Sequence, residues 1–489
     1  MGKFISDKNI NFSKWYNDIV IKADLAEHSD IRGCMIIKPY GYAIWEKIKA
    51  VLDNMFKKTG HLNAYFPLLI PKSFLSKESK HIDGFAKECA VVTHSKLKSI
   101  NNEILIDDNS KLKEELIIRP TSETLIWHTY KKWIKSYKDL PLLINQWSNV
   151  IRWEIRTRLF LRTSEFLWQE GHTAHASSEE AIQEAILMRN IYNDFIKNWM
   201  AIETIMGIKT PKERFAGAIE TYCIEGLMQD KKSLQMGTSH FLGQIFSKAF
   251  DVKFLDQNNN NNYVWSTSWG VSTRLMGALI MSHSDDKGLV LPPKLAPWQV
   301  VIIPVYDNDL IFNKISHLAN NIMEKLNKVN ITSIYDNKKY HRPGFKFSHY
   351  ELKGVPIRIT IGPNDLQDNT LEIFRRDTRK KMTIYKEELI STIENLLKEI
   401  QSNLYKRNKN HMINNTHFVD NYDDLKKTLN SKGGMIMSYW DGSQEIENKI
   451  KNETQASIIC IADNKEKLSG KSIISKVKSN KRVLFAKSY

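Results

Sequence analysis

The stretch NVIRWEIRTRLFLRTSEFLWQEGHTAH, residues 149–175, alternates apolar and polar side chains on either side of an arginine-rich connection. That is the pattern of two strands joined by a loop. On the first, Arg152, Glu154 and Arg156 share one face, and Ile151, Trp153 and Ile155 are expected to form the core-facing one. On the second, Arg162, Ser164, Phe166, Trp168, Glu170 and His172 point the same way. A merely solvated face has no use for Phe and Trp, and a merely buried one would not carry Arg and Glu. A guanidinium beside an aromatic plate suits a nucleotide, the cation on phosphate and the ring on the base. Zinc between His172 and His175 is not expected. On a strand the two rings point to opposite faces, and the i, i+4 helical spacing of a HExxH site is absent.

The 489 residues suffice for about three ordinary domains, and 42% hydrophobic with 10% aromatic content excludes a mostly disordered chain. No run of eighteen apolar residues occurs, so no membrane partner is expected and a cytoplasmic location is. The formal net charge of +16 suits a polyanionic partner such as nucleic acid. Compositional drift towards lysine and asparagine would give the same excess. Cys34, Cys89, Cys223 and Cys460 are scattered without a CxxC pair, as for reduced thiols.

Outward from the central pair, residues 36–60 read as an amphipathic helix with Ile44, Ile48, Val51, Leu52 and Met55 on one face. The run AYFPLLIP follows, and Pro67 confines it to an edge or interface. A second long helix opens at SSEE, where Ser177 and Glu180 have capping-box spacing, and is expected to end at Gly207. Prolines 292, 293 and 297 mark a boundary. Beyond it WQVVIIPVY, residues 308–328, ITSIYD, VPIRITIG and a helix near 386–407 make an α/β unit, and YKRNKNHMINN reads as a linker to a small third unit.

Five segments together resemble the class II aminoacyl-tRNA synthetases, specifically the prolyl enzymes of archaeal and eukaryote-like type. They are RWEIRTR…LRTSEFLWQEGHTAH, RPTSETLIW (119–127), QMGTSHFLGQ (235–244), SWGVSTRLMGALIMSHSDDKGLVLPP (268–293) and GFKFSHYELKGVPIRITIGPND (344–365). The resemblance implies an α+β chain: a class II antiparallel-sheet catalytic domain over 1–295, an α/β anticodon-binding domain over 296–405, and a small α/β C-terminal domain over 406–489. It implies activation of L-proline by ATP, with Mg2+, followed by transfer to tRNA(Pro), in a homodimer whose seam runs from the 36–60 helix to Pro67.

By the same resemblance Arg152 and Arg274 are catalytic, and Arg152, Glu154, Arg162, Phe166, Gln235, Thr238 and Arg274 bind ATP. Thr121, Glu123, Arg152, Trp168, Glu170, His172, Phe215, Thr238 and His240 surround proline. Read without the resemblance, the TSE of 121–123 is a helix N-cap with a first-turn glutamate. Phe85 and Glu88 in DGFAKECA fall on a loop that closes over substrate, and Glu351, Lys353, Arg358 and Asp365 where anticodon guanines are read. Each of those four could equally be a solvated charge. About 95 residues separate His175 from Gly270, too few for the editing insertion of bacterial-type enzymes.

The tail departs from the pattern. Relatives often hold zinc there with four cysteines, whereas SYWDGSQEIENKIKNETQASIICIAD keeps only Cys460, so no zinc is expected and the domain must rest on packing or be weakened. The terminal Tyr489 is expected near the active site; a frayed end is the alternative. The competing functional reading is a catalytically silent, tRNA-binding paralogue.

Overall fold

A computed structural model describes residues 5–78, 88–463 and 469–489. Its centre is a sheet that, among the described residues, runs through eleven strands. Five form an antiparallel core in the spatial order Glu220–Leu227, Ser233–Gly243, Trp265–Ser272, Glu165–His175, Leu142–Ile151, with Leu62–Asn63 pairing parallel at the outer edge. The strand Glu165–His175 is paired on both sides, to Trp265–Ser272 and Leu142–Ile151, so the side chains singled out above sit mid-sheet.

The two helices foreseen before and after the strands pack on the face away from those residues. Pro39–Lys58 buries Ile44, Ile48, Leu52 and Phe56 against Tyr192 and Trp269. Each such side chain removed from water contributes roughly 1.5–3 kcal/mol. The second helix spans Ser178–Asn198 and stops nine residues before Gly207, which lies in the strand Ile205–Ile208. Ser177 caps it by accepting from Glu180 N–H, while the Glu180 carboxylate reaches back to Ala176 N–H, one residue past the Ser177 N–H of a reciprocal box.

The first expected strand also ends early, at Ile151, and Trp153 and Ile155 are exposed at 51% and 78% instead of lying in the core. Residues 152–164 turn back on themselves: Arg158 N–H bonds Arg162 O, and Arg152 N–H bonds Ser164 O. With strand pairing replaced by these turns, period-two alternation no longer fixes a buried face.

Residues 299–414 build the α/β unit around a five-stranded sheet in which Val300–Pro304 is buried and flanked in parallel by the edge strand Ser333–Tyr335 and the central strand Ile357–Ile361. The helix Pro343–Leu352 and the antiparallel strands Thr370–Arg375 and Lys381–Tyr385 were not foreseen. The expected linker is the second half of a helix, Leu389–Asn414, which buries Leu404, Asn408 and Met412. Asn408 supplies the reason for a polar residue there, accepting from Glu203 N–H at 2.8 Å.

The tail is neither loose nor separate. Its strands Ser457–Ala462, Arg482–Ala486, Met435–Tyr439 and Thr416–Phe418 extend the central sheet through a pairing of Ser457–Ala462 with Ile205–Ile208. Leu425, Ile436, Ile450, Ile458 and Phe485 form its core. The joint is sealed by Lys209, whose buried ammonium donates to Ile459 O and to Glu225 at 2.8 and 2.9 Å. Gly207 makes room there: a Cβ would stand 2.4 Å from Ile461 O.

Candidate active site

Strand register assembles the pocket. Across the sheet Glu170 faces Gln146 on one side and Gly270 on the other, and Gly270 faces Thr238. One step along, His172 faces Ser268, which faces His240. These rows floor a cavity of about 160 Å³, lined also by Thr121, Glu123, Arg152, Phe166, Trp168, Phe215, Gln235 and Arg274. It adjoins a chamber of about 480 Å³ that holds Glu154, Arg156, Arg158 and Arg162.

Glu170 is the most heavily bonded group. Its Oε1 accepts from Ser122 Oγ, from Gln146 Nε2 at 2.9 Å and from Ser148 Oγ at 3.4 Å, and Oε2 lies 2.9 Å from His172 Nε2. Ser122, Gln146 and Ser148 were missed by sequence reading. Gln146 and Ser148 were findable, since alternation along Leu142–Ile151 puts them opposite Glu170 and Trp168. The helix Glu123–Trp133 does start at TSE, but the Ser122 hydroxyl spends its bond on Glu170, and Thr121 Oγ1 bonds the Glu123 carboxylate. Thr121 and Glu123 thereby face the cavity while heading the helix.

Arg152 leaves the sheet where pairing stops. Its Nε donates to Pro120 O at 2.8 Å, and its guanidinium lies 5.6 and 5.4 Å from the ring centroids of Phe166 and Trp168, which meet edge to face. Its two terminal amino groups donate to no described residue. Burial pulls its pKa down, and the carboxylates of Glu123 and Glu170 oppose that. Arg274 opens the helix Arg274–His283 and is held by Leu161 O at 3.4 Å. Glu154 pairs with Arg162 and also accepts from Arg156 N–H at 3.0 Å.

At the far end Phe215 stacks on His240 at 4.7 Å, and Thr221 Oγ1 lies 3.0 Å from His240 Nδ1. Burial, helped by the charge of His172, pushes the His240 pKa down to about 3, so this ring is neutral and serves as an aromatic wall. His175, on the opposite face, contacts Thr173 Oγ1 at 2.7 Å, and burial lowers its pKa to about 4. Among the described residues no group of three or more His, Cys, Asp and Glu side chains could hold a metal ion.

Three independent resemblances converge on one group. Residues 104–283 match the tRNA synthetase class II core domain (G, H, P, S and T), residues 299–396 the anticodon binding domain, and residues 422–489 the prolyl-tRNA synthetase C-terminal domain. The chain is 58% identical over 492 residues to a proline–tRNA ligase of Phocaeicola vulgatus, covering all of this chain and 99% of that one. It is equally similar, at 58%, to one of Flavobacterium psychrophilum, covering the whole of both. The chain belongs to the proline–tRNA ligase family. A crystal structure of prolyl-tRNA synthetase from Cryptosporidium parvum, complexed with L-proline and AMP, superposes with a TM-score of 0.90 at 37% identity over 99% of both chains.

Against that family's expected sites the remaining residues distribute unevenly. Phe85 lies outside the described residues; Glu88 is exposed, and its carbonyl accepts from Trp153 N–H at 3.2 Å. In the anticodon-binding unit Glu351 pairs with Arg379 at 2.8 Å, and Arg358 is buried between the rings of Phe347 and Phe374 at 4.0 and 4.3 Å. Asp365 accepts from Gly362 N–H at the start of a short helix. The Lys353 ammonium lies 3.3 Å from Asp24 and over the ring of Tyr40, which ties this end of the unit to the N-terminal region. Tyr489 is not frayed; its hydroxyl donates to Asp230 at 2.7 Å, and its ring lies beside Arg158 and lines the larger chamber.

Proposed function

We propose that this protein is a working prolyl-tRNA synthetase: it joins L-proline to ATP as prolyl-adenylate, releases pyrophosphate, and passes proline to the 3′ end of tRNA(Pro). The observation that carries the reading is Arg152, tethered to Pro120 O between two aromatic rings with its remaining donors aimed at a cavity that also holds Glu123 and Glu170. A silent paralogue would have no need to keep that arrangement.

Proline offers a secondary ammonium, a carboxylate and an apolar ring. Glu123 and Thr121 take the ammonium, while Trp168, Phe215 and the neutral His240 enclose the ring. Glu170 and His172 form the polar floor beneath it. Arg152 holds the carboxylate and the α-phosphate together, so the carboxylate oxygen attacks phosphorus in line without a protein nucleophile. Its preorganised charge strengthens its grip as negative charge builds on the phosphoryl oxygens. Phe166 stacks on adenine, Arg162 and Glu154 flank the nucleotide with Gln235 and Thr238, and Arg274 receives the far phosphates. A substrate without a distinctive polar group is discriminated only weakly, by about 1–3 kcal/mol per methylene. No inserted editing domain lies between His175 and Gly270, so clearance of mischarged tRNA falls to other proteins.

The carboxylates that line the cavities are already engaged: Glu123 by Thr121, Glu154 by Arg162, Glu170 by His172. They do not form a protein-held metal site. Magnesium bound with ATP would supply neutralisation of triphosphate charge, beside Arg274 and Arg162. Glu351, Arg358 and Asp365 serve the anticodon. Two copies pair across the outer sheet edge, where Leu62, Tyr65 and Leu69 are exposed beside the helix Pro39–Lys58, and the enzyme works in the cytoplasm. Exposed edge strands of this kind call for a cover.

Proline-dependent ATP–pyrophosphate exchange tests the reading. Exchange with proline and not with threonine or histidine is the expected result. No exchange with any amino acid, alongside retained tRNA binding, would establish the silent paralogue instead.

A further inference from the structure

The helix Pro343–Leu352 carries, at its exposed end, a run of rings that the site described above does not use. Tyr340 and His341 lie 4.4 Å apart between centroids, His341 stacks on Phe345 at 4.1 Å, and Phe345 is nearly parallel to His349 at 6.1 Å. Tyr340 is 73% exposed and Phe345 52%. Rings that stack on each other yet keep their outer faces in water are unusual on a surface, since burying them would be favourable. Space remains beside them: a Cβ added at Gly344 would meet nothing within 4 Å.

The surroundings are cationic. Lys338, Lys339 and Arg342 are all exposed; Lys339 pairs with Asp309 at 2.7 Å, and Lys338 and Arg342 pair with no described carboxylate. The rings also face away from the group assigned to the anticodon. Phe345 and His349 form one i, i+4 row; Phe347, on Arg358, and Glu351, on Arg379, form another, turned roughly 200° about the helix axis.

We propose that Tyr340, His341 and Phe345 form a second RNA-binding surface, a stacking platform for unpaired bases of the bound tRNA, with Lys338 and Arg342 on the adjoining phosphates. Bases expose flat faces only where they are unpaired, and stacking on an aromatic side chain needs no particular base. The platform therefore adds affinity without sequence choice, while Glu351, Arg358 and Asp365 supply the choice. The proposal rests on the reading of this chain as a tRNA-charging enzyme.

The test uses the full-length protein with an in-vitro transcript of tRNA(Pro), an isolated anticodon stem-loop and a blunt RNA duplex. Phe345→Leu keeps apolar volume and removes the ring; Phe345→Trp keeps a ring. Phe345→Leu is expected to weaken tRNA and stem-loop binding on the order of 10-fold, the lower part of the range for one lost stack. Tyr340→Ala should act in the same direction, Phe345→Trp should bind as the parent does, and duplex binding should not respond. Proline-dependent exchange, measured without tRNA, should be unchanged in every variant. Loss of exchange in the parent would overturn the enzyme reading and leave the binding result standing. Equal tRNA binding by Phe345→Leu and the parent would overturn the platform, as would equal losses in the Leu and Trp variants, which would mark the ring as packing.

Discussion

The Glu170 carboxylate and the His172 imidazole lie 2.9 Å apart on the same face of one strand, both almost wholly out of solvent. Burial disfavours each charge, but their mutual hydrogen bond and attraction prevail, with Glu123 adding to the hold on His172. Glu170 is lowered below its usual 4.5, and His172 is raised above its usual 6.5. The His172 contribution to stability is complete below pH 6.5 and fades as pH rises through its folded value. The Glu170 contribution is complete above pH 4.5 and fades as pH falls through its folded value.

The pair is therefore at full strength between pH 4.5 and 6.5. His172→Gln removes the cationic partner of a buried carboxylate and should cost up to about 3–5 kcal/mol in that window, less whatever Ser122, Gln146 and Ser148 compensate. The deficit should narrow at higher pH as the parent protein loses its own proton. Thermal melts of both proteins across pH check it; a deficit that never changes with pH would show that the pair is not ionised.

Arg152→Lys keeps a positive charge and removes the planar fork that holds Pro120 O through Nε while leaving two amino groups free for substrate. Proline-dependent exchange should drop on the order of 100-fold, near 3 kcal/mol of transition-state stabilisation, while the melting temperature stays close to the parent's. A variant that exchanges at the parent's rate would remove Arg152 from the chemistry.

Gly171 lies under the indole of its cross-strand partner Trp269, and a Cβ there would stand 2.1 Å from that ring. Trp269 is itself packed by Phe56, His61 and Tyr192, so it has no free direction in which to move. Gly171→Ala should destabilise by at least the ~1–3 kcal/mol typical of overpacking and raise the KM for proline, since Glu170 and His172 flank it. Chemical denaturation and exchange kinetics read the two effects separately.

Lys209 joins the catalytic strands to the tail. Lys209→Met leaves Glu225 buried with only the Ser233 hydroxyl and frees Ile459 O, a change of about 3–5 kcal/mol. Adding Glu225→Gln should restore much of that loss. If the double variant melts no higher than the single one, the pair is not what holds the joint.

A chelator supplies a further check on the tail. Its strands are held by an apolar core and by sheet pairing to Ile205–Ile208, so EDTA should leave the melting profile unchanged. A melting transition that shifts on chelation and returns with added zinc would require a metal site that one cysteine cannot provide.

Period-two reading worked where strands pair on both sides. It gathered Phe166, Trp168, Glu170 and His172 on one face and sent His175 to the other, because the pleat leaves no alternative. It failed just beyond the last pairing, at Ile151, where Trp153 and Ile155 look like core and face solvent. The polar run YKRNKNHMINN reads as a linker for a related reason: its buried Asn408 is satisfied by Glu203, more than 200 positions away in the chain.

The sequence alone determined which residue types this protein has for its chemistry, their order along the chain, and the family whose motifs they form. Those are local patterns, carried by backbone geometry and side-chain chemistry. Only the tertiary structure decided that Ser122, Gln146 and Ser148 hold Glu170, that the Lys353 ammonium lies against Asp24, and that the tail is a continuation of the catalytic sheet. Each depends on pairings between distant segments, and strand register and burial are set by the packed whole.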